Sequence, residues 1–237
     1  MTDIQSLVDQ AWAAAFVQNT PNGVNPNWVP GILDNPANVK LADVSNVPDT
    51  SGQINLCTVP FDPNPPVAKG NAAVTCTGMT MAGLVKATGG TPVFAPDLST
   101  VALPIGVNPL QINGSFRIDQ TCCISTGWDC IDDTDSNLAG TFQMTIQSVV
   151  MTLNCRIVAN SALTLSTVGV TFGAASATSS VSKSLDWIDA FLHVLSSLSA
   201  RLEGLVLTLL SSDQLKQQMQ QALDGVLGVG PRPSAAV

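Results

Sequence analysis

The chain offers few side chains that titrate near neutral pH. It has one histidine, His193, no tyrosine, and seventeen acidic residues of which Glu203 is the only glutamate. General acid–base catalysis draws most often on histidine, so a triad would have to be built on His193 alone. His193 stands four residues after Asp189 inside a helical pattern, a spacing that suits a side chain capping or bordering a core. Serine and threonine are abundant, yet no G-x-S-x-G elbow exposes one of them as a nucleophile. The residues therefore predict a protein that is not an enzyme.

Six cysteines, Cys57, Cys76, Cys122, Cys123, Cys130 and Cys155, make an even number, and no C-x2-C pair occurs among them. A zinc site is not indicated; one or two disulfides fit the count, and spacing does not fix their connectivity. Carboxylates concentrate between Asp129 and Asn137, where Asp133, Asp135 and Asn137 carry the first three ligand spacings of a calcium loop. The sixth position is Leu138 where the turn requires glycine, and the twelfth is Met144 where a bidentate glutamate belongs. The stretch reads as a solvated acidic hairpin loop, and neither a metal nor another cofactor is expected.

The whole composition points the same way. Of 237 residues, 45% are hydrophobic and only 11% charged, with a net charge of -8. Such a chain can bury a sizeable core. It has no basic footprint for nucleic acid. The opening MTDIQSLVDQAWAAAFVQNT lacks a basic segment and reads as an amphipathic helix, not a secretory signal, so the protein is expected to be cytoplasmic or exported without a visible signal peptide. Thr2 and Gln5 form a capping box, and Ile4, Leu7, Val8, Ala11, Trp12, Ala15 and Phe16 fall on one face.

Residues 20–71 are rich in proline and asparagine, with prolines interrupting every helix and Gln53 to Val59 forming the best strand. From residue 72 the texture is strand. Val101, Leu103, Ile105 and Val107 alternate with small or polar residues, as do Leu110, Ile112, Gly114, Phe116 and Ile118, then Phe142, Met144 and Ile146. Val149, Met151, Leu153, Cys155 and Ile157 continue in the opposite phase, which places a bulge or bend at Ser148. A second slip, between Leu165 and Val168, is placed near Gly169. After a small-residue linker, Leu185, Ile188, Leu192, Leu195, Leu198, Leu202, Leu205 and Leu209 recur at steps of three and four, a long helix from Val181. Ser211 and Gln214 cap a shorter helix through Leu215, Met219, Leu223 and Val226, and the residues after 230 form a frayed tail.

A one-faced helix and a one-faced sheet each need a partner, and each supplies the other's. The predicted fold is α+β: a long, strongly curved antiparallel sheet wrapped around a long C-terminal helix, with an N-terminal helix. The expected organisation is one domain, in which 1–19 is the N-terminal helix, 20–71 loop and short strands, and 72–230 sheet and helices.

The segments Val74 to Leu84, Leu110 to Ile118 and Ala139 to Cys155, followed by the helix from Val181, resemble in pattern and order the tubular lipid-binding superfamily, which includes takeout, juvenile hormone-binding and bactericidal permeability-increasing proteins. That resemblance covers about Val74 to Leu227 and implies a tapered tube with an apolar lumen that holds lipid. The chain departs from the secreted members in its lack of a visible signal and in its proline-rich first third.

A helix lying on a curved sheet leaves space. A vacant, rigid cavity of ~300 Å³ would cost ~7 kcal/mol, so it collapses or holds something apolar. The expected function is noncatalytic binding or transfer of a hydrophobic ligand such as a lipid, fatty acid or sterol. Its lining would come from Ile188, Phe191, Leu192, Leu195, Leu198 and Leu202 on the helix, and from Ile112, Phe116, Met144, Ile146 and Leu153 on the sheet. The expected partners are that hydrophobic molecule, with transient membrane contact or a protein partner also compatible and nucleic acid not. The alternative is a structural or accessory subunit of a larger assembly, such as a toxin or secretion complex.

Overall fold

A computed structural model describes residues 4–49, 67–125, 130–158, 162–180 and 200–228, with backbone alone at 67–71, 122–125, 130–136 and 177–180. The fold is α+β, with large antiparallel sheets and helices at both ends. The strand predicted from Gln53 to Val59, the box at Thr2, and the long helix before residue 200 lie outside the described residues.

Helix α1 (Ile4–Ala14) buries Val8, Ala11 and Trp12 on the predicted face. Its C-terminal carbonyls do not face water. Asn25, buried, donates its side-chain amide to the carbonyls of Ala14 (3.1 Å) and Val17 (2.9 Å), satisfying acceptors that a helix end leaves open. A short hairpin, β1 (Asn19–Thr20) and β2 (Gly23–Val24), leads into that asparagine.

The prolines do not exclude helix as the sequence suggested. Helices α2 (Val29–Leu33) and α3 (Pro36–Val39) both form, with Pro30 and Pro36 in their first two positions. There a missing N–H costs nothing and the fixed φ favours the turn.

One sheet holds β3 (Val44–Pro48), β4 (Val67–Ala82), β8 (Leu110–Ser125), β9 (Cys130–Ile146) and β12 (Ala175–Ser180), in the order β12-β9-β8-β4-β3. The other has the order β11-β10-β7-β5, from β5 (Thr88–Gly89), β7 (Thr100–Val107), β10 (Val149–Val158) and β11 (Ala162–Phe172), with β6 (Val93–Phe94) beside β7. Chain connections repeatedly cross from one sheet to the other at a corner: β4 to β5, β7 to β8 through Asn108–Pro109, β9 to β10 through Gln147 and Ser148, and β11 to β12 through Gly173 and Ala174. Backbone bonds close that corner, from Gln147 N–H to Ala174 O (2.9 Å) and from Gly173 N–H to Ser148 O (2.7 Å). Val107 pairs with Val149 on one side and Leu110 with Ile146 on the other, so the two sheets are one curved sheet folded over. The phase switch read at Ser148 is this fold line. The second slip is real but sits at Ser166, because Asn154 pairs with Thr167 while Cys155 pairs with Leu165.

The acidic stretch is strand, not loop. Asp133, Asp135 and Asn137 pair with Cys123, Thr121 and Asp119 across the β8–β9 ladder. Extended backbone spreads these three residues over about 13 Å instead of folding them around an ion.

Residues 200–210 form helix α4, which buries Leu202, Val206 and Leu210 at steps of four. Helix α5 (Asp213–Val226) follows, capped by Ser212 and not by Ser211. The Ser211 hydroxyl donates back to Leu207 O (2.7 Å) and ends α4, leaving Ser212, in extended conformation, to accept from Leu215 N–H (3.3 Å).

Helix α5 is tied to the outer strand of the second sheet by one side chain. Gln220 accepts from Leu165 N–H (2.7 Å) and donates to Leu163 O (2.9 Å) and to an Asp224 carboxylate oxygen (2.9 Å). The amide thus stands in for a neighbouring strand at the Ser166 bulge. Replacing it with leucine, Gln220→Leu, is expected to cost about 2 kcal/mol, because two partly buried backbone groups lose their partner. The melting temperature should fall by about 4–8 °C, and hydrogen exchange at the Leu165 amide should accelerate more than that of neighbouring β10 amides. An unchanged Leu165 exchange rate would refute this role for Gln220.

Candidate hydrophobic site

Alternation puts every second residue of each central strand on the inside of the curved sheet. In β7 these are Val101, Leu103, Ile105 and Val107, and in β10 Val149, Met151, Leu153 and Cys155, all buried. In the other sheet β8 contributes Leu110, Ile112, Phe116 and Ile118, and β9 contributes Phe142, Met144 and Ile146. The outward residues are mostly threonine, serine, asparagine and glutamine, and Gln143 donates to Asn113 there (2.9 Å). One face is thus apolar and the other wet, as expected for a sheet with a single covered side.

A bulge in β4 keeps this face continuous. Thr77 pairs with Ser115 and Thr80 with Asn113, so Gly78 and Met79 together oppose Gly114. Gly78 adopts φ 61°, and its N–H donates to an Asp43 carboxylate oxygen (2.9 Å). The extra residue restores the inward phase, so that Met79 and Met81 are buried as Val74 and Cys76 are. Gly114 makes room for the result: a Cβ there would approach Met79 and Phe142 to 2.9 Å.

Of the lining predicted from sequence, Ile112, Phe116, Met144, Ile146, Leu153 and Leu202 are brought together in one contiguous apolar cluster. Ile188, Phe191, Leu192, Leu195 and Leu198 lie outside the described residues, as does His193. The inward faces of β4 and β7 belong to the same cluster and were missing from the predicted lining, although the alternation of β7 is as clear as that of β8. Five methionines, Met79, Met81, Met144, Met151 and Met219, are buried in it. Their unbranched, polarisable side chains adapt to differently shaped neighbours.

The site has little polar chemistry. Cys76 and Cys155 are buried free thiols on different sheets, and burial pushes their pKa values up to about 11 and about 12. They are protonated at neutral pH and behave as small apolar side chains, not nucleophiles. Among the described residues no group of three His, Cys, Asp or Glu side chains converges. No described helix is long and apolar enough to cross a membrane.

No protein-family model matches the chain, and no curated protein matches it by sequence. Solved structures similar to it include lipopolysaccharide binding protein, at 14% identity and TM-score 0.45, and Takeout 1 of Epiphyas postvittana, at 11% identity and TM-score 0.39. The first comparison covers 90% of this chain and 40% of the other, so this chain spans well under half of that protein; the second covers 93% and 91%. Both are members of the tubular lipid-binding superfamily.

Proposed function

We propose that the chain binds and carries a hydrophobic molecule, such as a lipid, fatty acid or sterol, between the inner sheet face and the leucine-rich helix stripe, without catalysis. The observation that carries this reading is the unbroken apolar lining that crosses the fold line from β8 and β9 into β7 and β10. Its buried apolar residues run over about 26 Å of extended backbone in β8, from Leu110 to Ile118, and about 20 Å in β7, from Val101 to Val107. The inner face is therefore elongated, matching an acyl chain better than a compact polar metabolite. Its methionines suit a ligand held by shape and dispersion.

The test is native mass spectrometry of the purified chain, followed by denaturing extraction and lipid identification on the same sample. The expected result is a discrete mass excess that matches an extracted lipid. Removing that lipid should lower stability, because a ligand at a hundred times its Kd contributes about 2.7 kcal/mol. Readdition should restore the melting temperature. A bare mass, with no uptake of fluorescent fatty acid or phospholipid, would overturn the reading and favour an accessory subunit docking a protein.

A further inference from the structure

The β1–β2 hairpin holds a reactive pair that the apolar site does not use. Asn19 pairs with Val24 and Thr20 with Gly23, so Pro21 and Asn22 make the turn, and the two strands form a sheet with no third member. Asn22 and Gly23 are exposed. Gly23 has φ 113°, and nothing lies within 4 Å of the place a Cβ would take. In an Asn-Gly pair the glycine nitrogen can reach the preceding side-chain carbonyl without a Cβ in the way.

We propose that Asn22 is a site of spontaneous deamidation through a cyclic imide closed by Gly23. The Gly23 amide nitrogen gives its proton to hydroxide and bonds to Asn22 Cγ. The carbon–nitrogen bond of the side-chain amide breaks, and ammonia leaves with a proton from water, which returns the hydroxide. Water then adds to either imide carbonyl and opens the ring, giving aspartate or isoaspartate, the latter with the main chain rerouted through the side-chain carbon. Local opening sets the rate. A hairpin of two residue pairs with no further strand is marginally stable and opens at the low end of native-state fluctuations. Its base is fixed, because Asn25 N–H donates to Gln18 O (2.8 Å) and the Asn25 side chain holds the end of α1, so the opening is confined to the residues between. The chain carries its own control, since Asn-Gly occurs again at Asn113 and Gly114. There β8 is paired on both sides, Asn113 with Gln143 in β9 and with Thr80 in β4, and Asn113 Oδ1 accepts from Gln143 (2.9 Å). Extended ψ, about +135°, turns the Gly114 nitrogen away from the Asn113 side chain, so cyclisation there requires β8 to leave both neighbours. Residues 10–33 contain no ionisable side chain, so deamidation at residue 22 puts the first charge on that run.

The test incubates the full native chain at pH 8 and 37 °C and maps its peptides by electron-transfer dissociation, which separates isoaspartate from aspartate. Residue 22 is expected to gain a carboxylate at least about a hundredfold faster than residue 113, as local opening outpaces opening of a central strand. In denaturant the two rates should converge. Protein isoaspartyl methyltransferase gives an independent readout, because it moves the methyl group of S-adenosylmethionine onto the isoaspartyl carboxylate. The aged chain should take up labelled methyl, and Asn22→Gln, which cannot close the five-membered ring, should lose most of that uptake. An unmodified residue 22, equal native rates at residues 22 and 113, or undiminished methyl uptake in Asn22→Gln would each overturn the proposal.

Discussion

Raising the pH from 9 to 11 is expected to remove about 4 kcal/mol of folding stability through two buried thiols. Cys76 and Cys155 ionise near 9.0 when exposed, and burial raises them to about 11 and about 12 in the folded chain. The sign follows from proton counting. Between pH 9 and 11 the unfolded chain releases both protons while the native chain keeps them, so stability falls as pH rises. Each thiol contributes a slope of about 1.4 kcal/mol per pH unit in that window. Below pH 9 the contribution is fully present, and it is lost as the pH passes the folded values. A loss of this size is a large share of the 5–15 kcal/mol typical of a domain. Tyrosine, which would titrate in the same range, is absent from the chain. Chemical denaturation at pH 7, 9, 10 and 11 measures the effect. The double variant Cys76→Ala with Cys155→Ala should start lower at pH 7, because each truncation leaves a small cavity, but descend less steeply. Parallel descents in the two proteins would show that the thiols are not responsible. An independent check is alkylation: both thiols should resist iodoacetamide at pH 8 in the native state and react on unfolding.

The strand that carries Cys155 was legible because it has one covered face. Period-two alternation is unbroken in β7, in β8 from Leu110 to Ile118, in β9 from Phe142 to Ile146 and in β10, and the reversal of phase at Ser148 is the chain's own record of the fold line. Other features depend on partners distant in sequence. The β4 bulge at Gly78 and Met79 is defined only by what β8 places opposite, and the slip assigned near Gly169 moves to Ser166 once the pairing with β10 is known. The acidic stretch before Asn137 has the composition of a loop, yet pairing with β8 holds it as strand, since ladder bonds formed along sixteen neighbouring residues outweigh weak local preference. Ser211 and Ser212 are equally good caps by composition; the bond from Ser211 to Leu207 decides between them. Trp12 and Phe16 could be read as part of a helix stripe. That the stripe closes a depression against residues 89–92 could not, because seventy-odd residues separate the two sides.

Gly83→Ala is expected to destabilise the chain by about 3 kcal/mol, and Gly78→Ala by about 1 kcal/mol, although both glycines have positive φ. The shared part is conformational: an alanine at φ 61° or 101° carries the strain of the left-handed region, about 1–2 kcal/mol. The difference is steric. Nothing lies within 4 Å of a Cβ built on Gly78, whereas a Cβ on Gly83 would stand 2.6 Å from the Pro109 carbonyl oxygen. Backbone on backbone cannot swing aside as a side chain does, so relief requires the segment after β4 to move away from the β7–β8 connection. That segment carries Leu84, which is buried in the core cluster. A difference of about 2 kcal/mol corresponds to melting temperatures about 4–8 °C apart in a chain of this length. Equal losses in the two variants would mean that the fold line tolerates a methyl group and is not closely packed. The expected inequality has a functional consequence. Both inner faces meet at that line, so a displaced β4 exit disturbs the lining on either side, and Gly83→Ala should retain less copurifying lipid than Gly78→Ala at matched temperature below both melting points. Lipid retention that follows stability alone, with no excess loss in Gly83→Ala, would place the bound molecule away from the corner.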